Sequence, residues 1–143
     1  MAFPVVDSLI LWMIESEVPF RVTSTWRPAD GKSLHSLGVA VDFAGPRPGR
    51  GTPDLLAIYE ALEPLGPACR ELIYSTNGWK NGRRFVYNAT TERQHENHVH
   101  IAMPDGWTWQ PPPKEVKLWK LLRIPSALPW SGLFRRLQGR ATG

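Results

Sequence analysis

The hydrophobic pattern at the start of the chain is that of a helix. Between residues 1 and 18, apolar side chains recur at spacings of three or four positions. The members of this face are Val5, Val6, Leu9, Ile10, Met13 and Ile14. No basic residue precedes the run, Asp7 and Glu15 interrupt or close it, and it is too short to span a bilayer. We therefore expect an amphipathic helix that ends near Pro19, with no signal peptide and no membrane anchor.

The next segments have the patterns of two strands and one further helix. Phe20 to Thr25 is rich in Val and Thr, and Gly38 to Phe43 alternates apolar residues with small or polar ones. A helix is predicted from Thr52, because Thr is a favoured N-cap and Pro53 suits the first helical position. Its apolar residues are Leu55, Leu56, Ile58, Tyr59 and Leu62, and Pro64 and Gly66 close it.

Short strands and turns are predicted after this helix. Glu71 to Ser75 and Phe85 to Tyr87 have strand composition, and Asn77-Gly78 and Asn81-Gly82 are dipeptides typical of tight turns. The strands and helices do not alternate in the rhythm of βαβ units. We therefore predict an α+β fold with a mainly antiparallel central sheet and flanking helices.

The histidines and one aspartate are the candidate chemical groups. Three of the four histidines lie within six residues, at His95, His98 and His100. His98 and His100 share one face of an alternating strand, so one can bind a metal while the other stands beside it. In an extended chain His35 and Asp42 would lie about 23 Å apart and on opposite faces. The chain must bend between them to bring both to one ion, and Gly38 is the residue best able to allow this.

These residues carry a resemblance to a known family. The pattern S-x-H-x-x-G-x-A-x-D runs from Ser33 to Asp42 and is followed by H-x-H from His98 to His100. It resembles the zinc D-Ala-D-Ala peptidases, in the wider group shared with lysostaphin-type peptidases and the hedgehog signalling domain. The resemblance covers roughly residues 4–103. It implies the fold of that group and one bound zinc ion.

The resemblance also implies roles for particular residues. The implied zinc ligands are His35, Asp42 and His100, the catalytic residues are His98, His95 and Arg27, and the substrate-binding residues are Arg27 and Ser33. Two histidines and a carboxylate form a ligand set that leaves one zinc position open for water. Many members carry a glutamate as general base three residues before the last ligand, where this chain has Asn97. The departure favours a histidine as base and leaves Glu96 as a weaker alternative.

The end of the chain differs from the rest in charge. The 143 residues carry a formal net charge of +4, and nearly all of the positive excess follows Pro104. The basic residues there are Lys114, Lys117, Lys120, Arg123, Arg135, Arg136 and Arg140, and Trp107, Trp109, Trp119 and Trp130 accompany them around the Pro111 to Pro113 linker. We predict a zinc peptidase domain over residues 1–103 and a basic Pro/Trp-rich extension over residues 104–143.

Two interpretations of the extension stay open. Residues 114–123 have the pattern of a short basic amphipathic helix. The extension is either a flexible or helical addition that caps the domain, with Trp107 and Trp109 completing the core, or a segment that attaches the enzyme to an anionic cell-wall polymer or membrane surface. No nucleic-acid-binding motif accompanies the charge. Cys69 is the single cysteine, so no intramolecular disulfide can form.

The function implied is that of a zinc metallopeptidase. It would hydrolyse a peptide bond in peptidoglycan cross-links or stem peptides, as a carboxypeptidase or an endopeptidase. Without a leader, the protein resembles a phage endolysin that is made in the cytoplasm and acts on the cell wall after release. The alternatives are a zinc-binding but non-catalytic interaction module of the hedgehog type, and a binding protein whose histidines are structural.

Overall fold

The computed structural model describes residues 2–28, 33–49 and 52–113. Residues 1 to 111 form one compact unit, which continues past the boundary predicted at residue 103. The predicted basic helix over residues 114–123 lies outside the described residues, as does most of the basic extension.

Three α-helices and six β-strands make up the described chain. The helices are α1 (Pro4–Glu15), α2 (Pro53–Leu62) and α3 (Ala89–Gln94), and a 3₁₀ helix, Glu63–Ala68, follows α2. The strands are β1 (Arg21–Ser24), β2 (Ala40–Ala44), β3 (Glu71–Tyr74), β4 (Asn77–Lys80), β5 (Arg83–Val86) and β6 (Val99–Ala102).

The six strands form one sheet in the order β1-β2-β6-β3-β4-β5, and every neighbouring pair is antiparallel. The last strand, β6, is inserted between β2 and β3, so the strands that end up at the centre come from distant parts of the chain. The prediction of an α+β fold with an antiparallel sheet is confirmed. Among the described residues, no helix is both long and apolar enough to cross a membrane.

Helices α1 and α2 bury their apolar sides on one face of the sheet. Leu9 and Met13 of α1 and Ile58 of α2 are fully buried, and each such side chain contributes about 1.5–3 kcal/mol of transfer free energy. The indole Nε1 of Trp12 donates to the carbonyl of Ala61 at 2.8 Å and joins the two helices. The opposite face of the central strands carries the polar site.

The predicted start of α2 is confirmed. Thr52 is the N-cap residue and has extended backbone angles, and Pro53 is the first helical residue. The hydroxyl of Thr52 forms no capping hydrogen bond and is buried without a partner among the described residues. Its contribution to the helix is therefore the backbone geometry of the N-cap.

One predicted turn is wrong. Asn77-Gly78 lies inside β4, and the chain reverses at Ser75-Thr76, where Ser75 adopts a left-handed backbone with φ of 54°. A Cβ atom on Gly78 would lie 2.0 Å from the carbonyl oxygen of Leu72, so this glycine serves a close backbone approach. Asn81-Gly82 does form its turn, because both residues have the positive φ that such hairpins require.

Helix α3 is a feature that the apolar pattern did not predict. None of its residues is buried, so it has no apolar face to give a helical period. The side chain of Asn88 accepts a hydrogen bond from the backbone N–H of Thr91 at 2.9 Å and caps the helix. That N-cap residue is the one signal in the sequence that marks where α3 begins.

Residues after Met103 continue to pack on the domain. Trp107 contacts the hydrophobic core, and the backbone N–H of Trp109 donates to the Ser8 hydroxyl at 3.0 Å. The indole ring of Trp109 meets that of Trp12 edge to face, with ring centroids 5.0 Å apart. These contacts match the interpretation in which Trp107 and Trp109 complete the core.

Shortening the chain should separate this packing from the basic extension. A chain that ends after Asp105 loses both tryptophans, and we expect it to be less stable by about 2–4 kcal/mol, the scale of removing two half-buried aromatic groups. A chain that ends after Pro113 keeps them and serves as the control. Thermal unfolding followed by circular dichroism measures both. Equal melting of the two shortened chains would show that the tryptophans do not support the domain.

Candidate metal centre

His35 is brought to the sheet by a tight turn before β2. The N–H of Gly38 donates to the carbonyl of His35 at 3.0 Å, and that of Val39 donates to Leu34 at 3.2 Å. Gly38 has φ of +69°, and an added Cβ would lie 2.4 Å from the ring of Phe3. Glycine is therefore needed here for both backbone conformation and space. The predicted bend at Gly38 is confirmed.

Asp42 and His100 meet because β2 and β6 pair in register. Asp42 lies opposite His100, and its Oδ1 is 2.8 Å from His100 Nδ1 and 3.1 Å from His35 Nε2. The three residues are 6%, 6% and 4% exposed in the order Asp42, His100, His35. Their nearest donor atoms all lie within 4.8 Å of one another. This buried group could hold a metal ion.

The Asp42 carboxylate is ionised in this buried position. Burial by itself raises its pKa, but hydrogen bonds from His100 and His35, together with the charge these imidazoles can carry, outweigh burial and hold the pKa well below its usual range. A buried anion between two imidazoles is the electrostatic setting that a cation stabilises.

The hydrogen bonds of His35 give a direct test of whether a cation fits. Its Nδ1 is 2.7 Å from the carbonyl oxygen of Thr25, which can only accept, so Nδ1 carries the proton. Nε2 then donates to the Asp42 carboxylate, 3.1 Å away, only when the ring is doubly protonated, and in the neutral ring it presents a lone pair to that carboxylate. Two acceptors at this distance require a proton or a cation between them. A metal ion at this position satisfies both.

His98 and His95 lie beside this cluster. His98 Nε2 is 3.8 Å from Asp42 Oδ1, and its Nδ1 donates to Asn97 Oδ1 at 2.8 Å. The rings of His95 and His98 are 5.0 Å apart, and His95 Nδ1 donates to the carbonyl of Thr91 at 2.8 Å. Burial lowers the pKa of each histidine, so both favour the neutral form.

Arg27 and Ser33 border the same site. The Nη2 of Arg27 is 3.9 Å from Asp42 Oδ2, while the arginine side chain is 58% exposed. Ser33 lines the cleft with Arg27, and its Oγ accepts the backbone N–H of Ser36 at 3.2 Å. Arg27 is therefore placed where it can contact both the buried carboxylate and a molecule that enters from solvent.

A cleft of about 1050 Å³ lies over the cluster. Every site residue suggested by the resemblance lines it, namely Arg27, Ser33, His35, Asp42, His95, His98 and His100. Glu96 is not among its lining residues, whereas Glu71 of β3 is. The structure thus brings together the residues implied by the resemblance. It also places at the cleft the carboxylate of Glu71, which the resemblance did not include.

The contributions of Thr25, Asn97 and Glu71 could not be derived from the sequence. Thr25 acts through its backbone carbonyl, which has no side-chain signature. Asn97 stood out only as a departure from the family pattern, and Glu71 as the first residue of a short strand. Glu71 reaches the site because β3 pairs with β6, and nothing in the sequence indicates that pairing.

Comparisons of the chain with protein-family models, with curated proteins and with solved structures found no match. The assignment to a family therefore rests on the motif from Ser33 to Asp42 and the histidine pair at 98 and 100, and it stays a prediction.

Proposed function

We propose that this chain is a zinc-dependent peptidase of the D-Ala-D-Ala peptidase type that hydrolyses a peptide bond in peptidoglycan. The observation that carries the proposal is the buried cluster of His35, Asp42 and His100 in a cleft that also contains His98 and Arg27. A purely structural histidine cluster has no need of an open cleft with an exposed arginine beside it. The motif resemblance supplies the substrate class.

Zinc is the ion that best suits this donor set. Two imidazoles and one carboxylate match the three protein ligands of many catalytic zinc sites. The ligands would be His35, Asp42 and His100, and the carbonyl of Thr25 fixes the His35 ring through Nδ1. When bound, zinc supplies a Lewis acid that polarises a carbonyl group and lowers the pKa of water.

His98 is the proposed general base. Its Nδ1 donates to Asn97, so Nε2 is the nitrogen with the free lone pair, and this atom faces the metal ligands. Because burial lowers the pKa of His98, the ring is neutral at pH 7 and can accept a proton from water. Asn97, which stands where many members of the family carry a glutamate, thus orients the base.

Arg27 is the proposed substrate anchor. Its guanidinium group is largely exposed and lies next to Asp42, so it can direct two parallel N–H groups at a carboxylate or carbonyl of the substrate. A peptide held there places its scissile bond near the three ligands. Ser33 borders the same end of the cleft.

The floor of the cleft extends away from Arg27 across the sheet. His100 pairs with Ile73, Ile73 with Gly78, and Gly78 with Phe85, so these residues form one row across four strands. At about 4.8 Å per strand, the row from β6 to β5 spans about 14 Å, enough for about four extended residues. Phe85 and Val86 are 42% and 73% exposed at its far end. The row is therefore long enough for an extended peptide of about this length.

Digestion of purified peptidoglycan tests the proposal. The zinc-loaded protein should release muropeptides with new peptide termini, identified by mass spectrometry, and a chelator should abolish the products until zinc is restored. The position of the new termini will separate carboxypeptidase from endopeptidase cleavage. Bound zinc without any new product would favour the non-catalytic interaction module, and a protein that binds no zinc would favour structural histidines.

A further inference from the structure

Glu71 is a carboxylate at the metal centre to which the proposed reaction gives no role. In the pairing of β3 with β6, Glu71 lies opposite Ala102 and Ile73 lies opposite His100. Residues two apart on a strand share a face, so Glu71 is the diagonal neighbour of His100 on the cleft side of the sheet. Its neighbour Ala102 is small, which leaves room for the glutamate to lean toward the imidazole.

The two nitrogens of His100 face two different carboxylates. Nδ1 is 2.8 Å from Asp42 Oδ1, inside the ligand cluster, and Nε2 is 3.8 Å from Glu71 Oε2 on the outer side. A ring that binds an ion through Nδ1 must carry its proton on Nε2. The Glu71 carboxylate, which can only accept a proton, lies 3.8 Å from that nitrogen and must move a few tenths of an ångström closer to form the hydrogen bond.

Among the described residues, the Glu71 carboxylate also lacks an ion pair with a lysine or arginine. Its side chain is 28% exposed, so the side chain is partly withdrawn from water. Lys80 lies directly opposite Glu71 on β4, yet within the described residues no lysine or arginine forms an ion pair with it. The imidazole edge of His100 is the group that the structure offers to compensate this partly buried anion.

We propose that Glu71 is a positioning residue of the metal centre, which accepts the Nε2–H of His100 and so keeps Nδ1 deprotonated and directed at the ion. The inference rests on the proposed metal site and deepens it. Carboxylate partners of this kind fix the tautomer and orientation of a ligand histidine and raise its basicity. A fourth metal ligand is the competing role for the same side chain.

Zinc affinity measured by chelator competition tests the role of Glu71. Glu71→Ala should bind one zinc per chain with an affinity about 10–100-fold weaker than that of the unmodified chain. Glu71→Gln keeps an acceptor oxygen without the charge, so its loss should be smaller. Glu92→Gln is the matched control, because Glu92 accepts from the Ser75 hydroxyl and does not line the cleft.

Two further readouts separate positioning from other roles. The melting temperature of the metal-free Glu71 variants should match that of the metal-free unmodified chain. If Glu71 had only a structural role, replacing it would lower the melting temperature. The visible spectrum of the cobalt-loaded protein should be the same in Glu71→Ala as in the unmodified chain. If Glu71 were a fourth metal ligand, its loss would change the coordination of cobalt and therefore the spectrum. In the zinc-loaded unmodified chain, the His100 Nε2–H proton signal should lie downfield of its position in Glu71→Ala.

The outcomes also separate this inference from the proposed function. Unchanged zinc affinity in Glu71→Ala, or an altered cobalt spectrum, would overturn the positioning role and leave the peptidase proposal intact. Weaker zinc binding in a protein that cleaves no peptidoglycan would support the role of Glu71 while the proposed function fails. An unmodified chain that binds no zinc overturns both.

Discussion

Replacing Asp42 by asparagine should abolish stoichiometric zinc binding. The carboxylate is the only anion among the three ligands, and it lies within 3.1 Å of a nitrogen from each of the two histidines. Asparagine has nearly the same shape, so the packing is preserved while the charge that holds the ion is lost. We expect zinc affinity to fall by more than about 10³-fold and hydrolysis to fall to background, because the metal binds deprotonated ligands as a set.

Elemental analysis and thermal unfolding measure this effect without relying on activity. Zinc at about 100 times its dissociation constant stabilises a folded protein by about 2.7 kcal/mol, which corresponds to roughly 10 °C in melting temperature for a domain of this size. The unmodified chain should show that increase and Asp42→Asn should not.

Asp54→Asn is the matched control for this substitution. Asp54 pairs with Arg47 and lies outside the lining of the cleft, so the same chemical change there should leave zinc binding unaltered. About one zinc per chain in Asp42→Asn, as well as in His35→Ala and His100→Ala, would contradict the ligand assignment.

The part of the site that could be predicted from the sequence is the part encoded locally. His35, Gly38 and Asp42 lie close together in the chain, and the need for a bend between two ligands follows from strand geometry alone. Gly38 provides that bend with its positive φ. The alternation around His100 likewise predicts which face of β6 carries the histidines.

The part that could not be predicted depends on pairing between distant strands. Insertion of β6 between β2 and β3 sets Asp42 and Ile73 on either side of His100, and it brings Glu71 to the cleft. The turn dipeptides predicted one turn correctly and one wrongly, also because of contacts between strands. Asn81-Gly82 forms a turn, but Gly78 is placed in a strand by the close approach of Leu72 across the sheet.

Replacing His98 by alanine should leave zinc in place and remove most of the activity. His98 lies near the cluster, 3.8 Å from Asp42, but it belongs to neither the three buried ligands nor their direct hydrogen bonds. Loss of a general base costs about 10²–10⁴-fold in rate. The loss should appear in kcat with zinc content unchanged, since the substitution removes an interaction that matters in the transition state.

The pH dependence provides a second measurement of the same role. Burial lowers the pKa of His98, so its neutral, proton-accepting form persists below the ordinary histidine value of about 6.5. The rate should therefore stay high as pH falls to that value, and should decline only when His98 becomes protonated at lower pH. In His98→Ala the residual rate should lack this decline.

Two control variants distinguish His98 from its alternatives as the base. His95→Ala should lose less activity, because among the described residues His98 Nε2 lies 3.8 Å from Asp42 Oδ1 and His95 has no such contact. Glu96→Gln should be close to the unmodified chain, because Glu96 does not line the cleft. If His98→Ala keeps near-normal turnover while one of these two variants loses it, the role of base passes to that residue, and His98 is left as a neighbour of the metal ligands.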